Sequence, residues 1–141
     1  MSERGEGLRQ GLGERILKLR ELGSRIYIEA LSRDIKEVVR YIFQDLGARF
    51  ITVSGMEKEK DFELIYHFAW DREGRVISVR VRLDKDNLEI ETISEIIKGA
   101  EFIEREIYEL LGIAFKGHPN LRPLLGMENW REGFYPLRRN K

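Results

Sequence analysis

The sequence predicts an α+β fold: a two-layer sandwich of a mainly antiparallel sheet with helices, plus an extended C-terminal tail. Three observations carry this. Strand-like alternation falls in three consecutive segments between residues 50 and 83. It does not interleave with helices, as a parallel sheet would require. The last of these segments alternates Ile77, Val79, Val81 and Leu83 with Ser78, Arg80 and Arg82, so one side of the sheet faces solvent. Beyond Gly112 all periodicity stops, and Trp130, Phe134 and Tyr135 stand between Pro123 and Pro136 with no local core to bury them. Residues 1–116 are therefore read as the folded domain and 117–141 as the tail.

The elements follow in order. Leu8, Leu12, Ile16, Leu19 and Leu22 recur every three or four residues, which predicts one amphipathic helix stopped near Gly23. Ile26 and Ile28 alternate with Arg25, Tyr27 and Glu29 as a short strand. Ser32 or Asp34 is placed to cap a second helix, whose buried face is Ile35, Val38, Val39, Ile42, Phe43 and Leu46, with Gly47 ending it. The first of the three grouped strands carries Phe50, Ile51 and Val53. The second carries Phe62, Leu64, Tyr66 and Phe68. Asp71-Arg72-Glu73-Gly74 reads as the hairpin turn into the third. Leu88–Glu91 is a last short strand, Ser94–Lys98 a brief helical piece, and Glu101–Leu111 a third helix with Gly112 as its C′ residue.

Composition narrows the function. There are 141 residues, 42% of them apolar, enough for one domain with one core. No apolar run approaches the length of a membrane span, and the N-terminal residues lack the hydrophobic segment of a secretory signal. A cytoplasmic location is expected. With no cysteine, thiol chemistry and cysteine-held zinc or iron–sulfur sites are excluded in this chain. The chain is 35% charged, with four Asn and two Gln, a composition that points to a thermophile. Net charge is zero but uneven. Residues 84–115 hold 3 basic and 9 acidic groups, and residues 116–141 hold 6 and 2. A basic tail beside an acidic block either neutralises it or meets an acidic partner surface. A duplex DNA binder would need a larger basic excess.

Few residues pattern as chemistry. Gly5, Gly7 and Gly11 lack the preceding strand that a dinucleotide site needs and read as a flexible terminus. Glu104, Glu106 and Glu109 cluster with Arg105. Paired carboxylates can do acid–base work, but Arg105 and Glu109 are four apart on a helix and can simply pair. His118, held between Gly117 and Pro119, has no second ligand at metal spacing and reads as a hydrogen-bonding or packing histidine. His67, alternating with Tyr66 and Phe68, reads as structural. Arg122, Arg131, Arg138 and Arg139 among Trp130, Phe134 and Tyr135 have the composition of a protein interface. The same residue types serve single-stranded nucleic acid.

The segment EREIYELLGIAFKGHPNLRPLL resembles the signature of the 30-kDa subunit family of respiratory complex I. Glu104, Arg105, Glu106, Gly112, Ile113, Phe115, Gly117, His118, Pro119, Leu121 and Arg122 fall on its pattern. Gly133, Pro136, Leu137 and Arg138 resemble the closing motif. Glu109 stands where the family usually has Asp, Leu111 where Phe is frequent, Phe102 where Trp is common and Pro123 where Arg is common. The chain ends soon after this motif, without the extension of many members.

The resemblance implies a non-catalytic subunit of a peripheral arm, on the cytoplasmic face of a cell membrane. It would touch the membrane only through the complex and bind no nucleic acid. Its partners would be a hydrogenase-large-subunit-like protein and a small iron–sulfur subunit. Cofactors would be absent from this chain, with iron–sulfur clusters and, in some complexes, nickel–iron in the partners. Shortness and composition favour the branch of energy-converting membrane-bound hydrogenases and sulfur-reducing complexes. An equivalent subunit of an NADH- or other donor:quinone oxidoreductase is the alternative. The implied assembly residues are Glu104, Arg105, Glu106, Gly112, His118, Pro119, Arg122, Trp130, Arg131, Phe134, Tyr135 and Arg138. The rival of another class is a stand-alone small enzyme using Glu104, Glu106 and His118.

Overall fold

The computed structural model describes residues 3–121. Helix α1 (Glu3–Leu12) leads through a single 3-10 turn into strand β1 (Ile16–Leu22) and then β2 (Arg25–Ala30). Helix α2 (Ile35–Arg40) continues as a π-helical turn over Tyr41–Asp45, where Leu46 N–H reaches back to Tyr41 O at 3.0 Å. Strands β3 (Arg49–Glu57), β4 (Asp61–Trp70) and β5 (Arg75–Asp84) follow. Short β6 (Glu89–Glu91), helix α3 (Ala100–Leu111) and short β7 (Ala114–Lys116) complete the order.

Five strands form one sheet in the order β1-β2-β5-β4-β3. All neighbours are antiparallel except β2 and β5. That parallel pair requires a crossover, supplied by α2 and the β3–β4 hairpin. The predicted mainly antiparallel α+β architecture is the one observed. The β4–β5 connection turns over Asp71–Glu73 and closes on Gly74, whose φ of +64° only glycine adopts without strain. Strands β6 and β7 pair in parallel as a separate two-stranded sheet.

Alternation gives the sheet two unlike faces. Ile26, Ile28, Leu64, Tyr66, Phe68, Ile77, Val79 and Val81 are buried together with Leu8, Leu12, Val38, Val39, Ile107 and Leu111, so the helices cover this side. The approach of α3 to β3 is close at Gly55. A Cβ there would stand 2.9 Å from Leu111 Cδ1, so the absence of a side chain sets the helix depth.

Three local expectations are corrected. The stretch Leu8–Leu22 is a helix only to Leu12. Gly13 takes a φ of +58° and the rest is β1. The register slips between Ile16 and Lys18, so Ile16 and Leu19, three apart, both point inward. A bulge imitates helical spacing. Neither Ser32 nor Asp34 caps α2 with its side chain. Ser32–Asp34 is a 3-10 turn, and the Ser32 carbonyl receives Ile35 N–H. Ser94–Lys98 is not a helix but a run of turns, with Ile96 and Ile97 N–H both donating to Ile93 O.

Candidate interaction site

The signature segment builds a buried polar knot where α3, the turn after β6 and the segment after β7 meet. Its centre is Glu104, whose side chain is fully buried. The helix carries Glu104 on the same stripe as Ile107 and Leu111, at i+3 and i+7, so a carboxylate is forced into an apolar layer. Its Oε2 accepts Ile93 N–H at 2.9 Å, and its Oε1 accepts the Thr92 hydroxyl. Thr92 Oγ1 in turn accepts Ser94 N–H at 3.0 Å and lies 2.7 Å from Ser94 Oγ. Thr92 N–H donates to Lys116 O at 2.9 Å, tying the same residue to β7.

His118 closes the knot from the other side. Its backbone N–H donates to Phe115 O at 3.1 Å, a tight turn made possible by Gly117 at a φ of +83°. Asn120 N–H donates to Nδ1 at 2.9 Å. Nδ1 is therefore the acceptor, and Nε2 carries the proton that it donates to Glu101 O at 2.7 Å. Nε2 also lies 4.0 Å from Glu104 Oε1, with both side chains buried. Gly112 ends α3 in the left-handed region at φ +80°, its N–H donating to Tyr108 O at 2.8 Å. That turn directs Ile113 and Phe115 into the core.

Burial dominates the electrostatics. It pushes the Glu104 carboxyl up to about 7, against the opposing pull of its bonds from Thr92 and Ile93, and the nearby Glu101 charge adds to the rise. Tyr66 is buried beneath the helices, and burial, with the Glu104 charge second, holds its hydroxyl well above its usual value. The Tyr66 hydroxyl has no hydrogen-bond partner among the described residues.

The other predicted residues separate by position. Arg105 lies with its guanidinium over the Phe102 ring, 5.8 Å from the centroid, and its Nε is buried without a hydrogen bond among the described residues. Glu109 is buried and Glu106 exposed, so the three glutamates are not one solvated face. Pro119 is exposed beside the knot. Arg122, Trp130, Arg131, Phe134, Tyr135 and Arg138 lie outside the described residues. The structure brings Glu104 and His118 together and leaves Glu106 apart on the surface. Sequence reasoning misses Thr92 and Tyr66 as members of this region. Thr92 has no motif to flag it, and Tyr66 looks like any strand residue. Among the described residues no group of three or more His, Asp or Glu could hold a metal ion, and no helix is long and apolar enough to cross a membrane.

The uncovered sheet face has a different chemistry. His67 lies between two hydroxyls, with Ser54 Oγ 3.3 Å from Nε2 and Ser78 Oγ 3.2 Å from Nδ1. Burial, then the Arg25 charge, lower its pKa, which favours the neutral ring. A cavity of about 410 Å³ opens on this face, lined by Lys18, Arg20, Arg25, Tyr27, His67 and Arg80 among others. Sequence reasoning overlooks the cations on β1 because that strand has the spacing of a helix. The alternation in Lys18-Arg20-Leu22 is the signal that could have found them.

Comparison with known proteins identifies the family. The family described as respiratory-chain NADH dehydrogenase, 30 Kd subunit, matches residues 28–141. The chain belongs to this family. Among its relatives is a subunit of F(420)H(2) dehydrogenase from Methanosarcina mazei. It is 36% identical over 108 residues, covering 74% of this chain and 68% of that protein. Another is a subunit of NADH-quinone oxidoreductase from Chelativorans sp. It is 34% identical over 113 residues, covering 76% of this chain and 55% of that protein. The match thus spans between about half and two thirds of the length of these two relatives. In fold the chain is similar to a chain of the archaeal membrane-bound sulfane sulfur reductase, with a TM-score of 0.79 at 20% identity, covering 96% of this chain and 83% of that one. It is also similar to the trypsin-resistant fragment of Nqo5, with a TM-score of 0.69 at 21% identity, covering 82% and 97%.

Proposed function

We propose that this 30-kDa-type subunit is a non-catalytic assembly component of the cytoplasmic arm of a membrane-bound, complex-I-related oxidoreductase. It docks on the large hydrogenase-like subunit, next to the small iron–sulfur subunit, and those partners hold the redox centres. A sulfane-sulfur reductase or membrane-bound hydrogenase type of complex is the leading form. A donor:quinone complex is the second, favoured by relatives that are named for NADH-quinone oxidoreductase and F(420)H(2) dehydrogenase.

The observation that carries the non-catalytic reading is the state of Glu104. A general acid or base must reach the proton it transfers. Here the carboxylate is fully buried and bound to Ile93 N–H and the Thr92 hydroxyl. His118 likewise uses both ring nitrogens on backbone groups. The stand-alone enzyme using Glu104, Glu106 and His118 therefore lacks an accessible pair. The knot instead fixes the point from which the tail departs. Arg122, Trp130, Arg131, Phe134, Tyr135 and Arg138 are the tail's proposed anchors on the partner, and the basic tail suits an acidic partner surface.

Affinity purification of the tagged full-length chain from membranes tests this. A hydrogenase-large-subunit-like protein and an iron–sulfur protein are expected in stoichiometric yield, with iron in the sample. Nickel content then separates hydrogen chemistry from sulfur or quinone chemistry. Removing residues 122–141 should leave the knot intact, because His118 and Asn120 are kept, yet abolish recovery of the large subunit. Undiminished recovery with the shortened chain would rule out the tail as the anchor. Turnover by the isolated chain would establish the enzyme reading instead.

A further inference from the structure

The uncovered face of the sheet carries cations with no counterpart in the described fold. Strand register places them in rows. Lys18 stands opposite Glu29, Glu29 beside Arg80, and Arg80 opposite Ile65. The next row runs Arg20, Tyr27, Ser78 and His67, and Leu22 pairs with Arg25 beyond it. Glu29 is already engaged, with Arg80 and Arg82 each 3.4 Å away. Arg80 also lies 3.8 Å from Glu63. Glu21 binds Arg75. Among the described residues no carboxylate comes within ion-pair distance of Lys18, Arg20 or Arg25, and all three are exposed. His67 in the same row is held between Ser54 Oγ and Ser78 Oγ. Leu22 at 54% exposure and Tyr27 at 39% supply apolar area beside the three charges.

Three uncompensated cations around an aromatic and a cavity of about 410 Å³ form a surface that attracts carboxylates and excludes cations. The chain's own tail does not complement it, since residues 116–141 hold 6 basic and 2 acidic groups. We infer that the open sheet face, through Lys18, Arg20, Arg25 and Tyr27, docks a carboxylate-rich segment of a partner protein in the same complex. This rests on the reading of the chain as a subunit of a larger complex, and it adds a second contact, separate from the tail. Arginine can fork onto a carboxylate, and Tyr27 and Leu22 cover the apolar parts of the same segment.

The test uses the full-length tagged chain in its complex. Lys18→Glu, Arg20→Glu and Arg25→Glu are introduced together, and circular dichroism and thermal melting check the fold. The wild-type chain should release the partner as salt rises, because the contact is screened. The variant should recover roughly tenfold less partner at low salt. In a second arm, Tyr27 is replaced by a photo-activatable benzophenone amino acid in the otherwise native chain. Its cross-linked peptide should come from another protein of the complex and carry an excess of Asp and Glu. Equal recovery of the partner by the charge-reversed variant overturns the inference and leaves the family-based assignment standing. So does a cross-link to a neutral or basic peptide, to lipid, to nucleic acid or to a copy of this chain. If the wild-type chain itself recovers no partner, the proposed function fails, and this inference fails with it.

Discussion

The two faces of the five-stranded sheet are made by alternate residues of the same strands, yet they obey opposite rules. The covered face is apolar, and the layer over it tolerates the Glu104 carboxylate because Ile93 N–H and the Thr92 hydroxyl meet it. The open face keeps Lys18, Arg20 and Arg25 exposed, without such partners among the described residues. Water solvates an exposed cation at little cost, whereas a buried carboxylate must be satisfied inside the protein. Stability is therefore expected to rest on the knot side, and the open side is the one proposed for recognition. Substitutions should divide the same way.

The largest effect is expected from Glu104→Ala. It strips the acceptor from Ile93 N–H and from Thr92, leaves both donors buried, and opens a cavity between α3 and the turn after β6. A loss of about 3–5 kcal/mol is expected, read as a lower urea midpoint. An unchanged midpoint would mean that the knot does not hold the fold, and the contrast between the faces would collapse.

The titration of Glu104 comes next. Its folded value of about 7 lies above its ordinary 4.5. Between those values the folded state holds a proton that the unfolded state has released. The contribution is therefore complete below pH 4.5 and is lost as pH rises through 7. At its limit this term is on the order of 3 kcal/mol. The melting temperature should fall from about pH 5 to about pH 8, and Glu104→Gln should flatten that slope. The amide can keep Ile93 N–H on its oxygen and offer its NH₂ to Thr92 Oγ1 once the hydroxyls rotate. A slope identical in the two proteins would assign the pH dependence to other groups.

Much of the fold is legible in the sequence because its elements are strongly patterned. The three alternating strands, the helix after Asp34 and the hairpin at Asp71–Gly74 all appear where the pattern puts them. The misreading at Leu8–Leu22 has a physical cause, since the bulge after Ile16 sets two inward residues three apart. No single-segment pattern encodes a register slip. Of the knot, Glu104, Gly112 and His118 are legible from the family signature, and Gly112 also from its place after an apolar stripe. What Glu104 touches is not legible. Thr92 is twelve residues away and meets it only through the packing of α3. The open face is hidden for a plainer reason. A helix over β1 would scatter Lys18 and Arg20, and only the strand pairing sets them beside Arg25 and Tyr27.

A smaller effect, of opposite sign, is expected from Tyr66→Phe. The Tyr66 hydroxyl is buried without a partner among the described residues and lies in the field of Glu104. Removing it deletes an unmet polar group and leaves the ring packing in place. Stability should rise by about 1 kcal/mol, seen as a melting temperature a few degrees higher. A clear loss would show that the hydroxyl holds a bond, and Tyr66 would then join Thr92 as a member of the knot.

The smallest change in stability should come from the open face. Replacing Lys18, Arg20 and Arg25 together by Gln removes three like charges on two paired strands and breaks no ion pair within the described fold. The isolated chain should shift by no more than about 0.5 kcal/mol. The sign should be favourable, because mutual repulsion among the cations is relieved, and the gain should shrink as salt screens it. This weak response is the informative one. A destabilisation that persists at high salt would mean that these side chains pack or bond within the fold, and the open face would then be a second structural face. A small, salt-dependent stabilisation means that the cations oppose the fold that carries them, as expected of charges held ready for a partner.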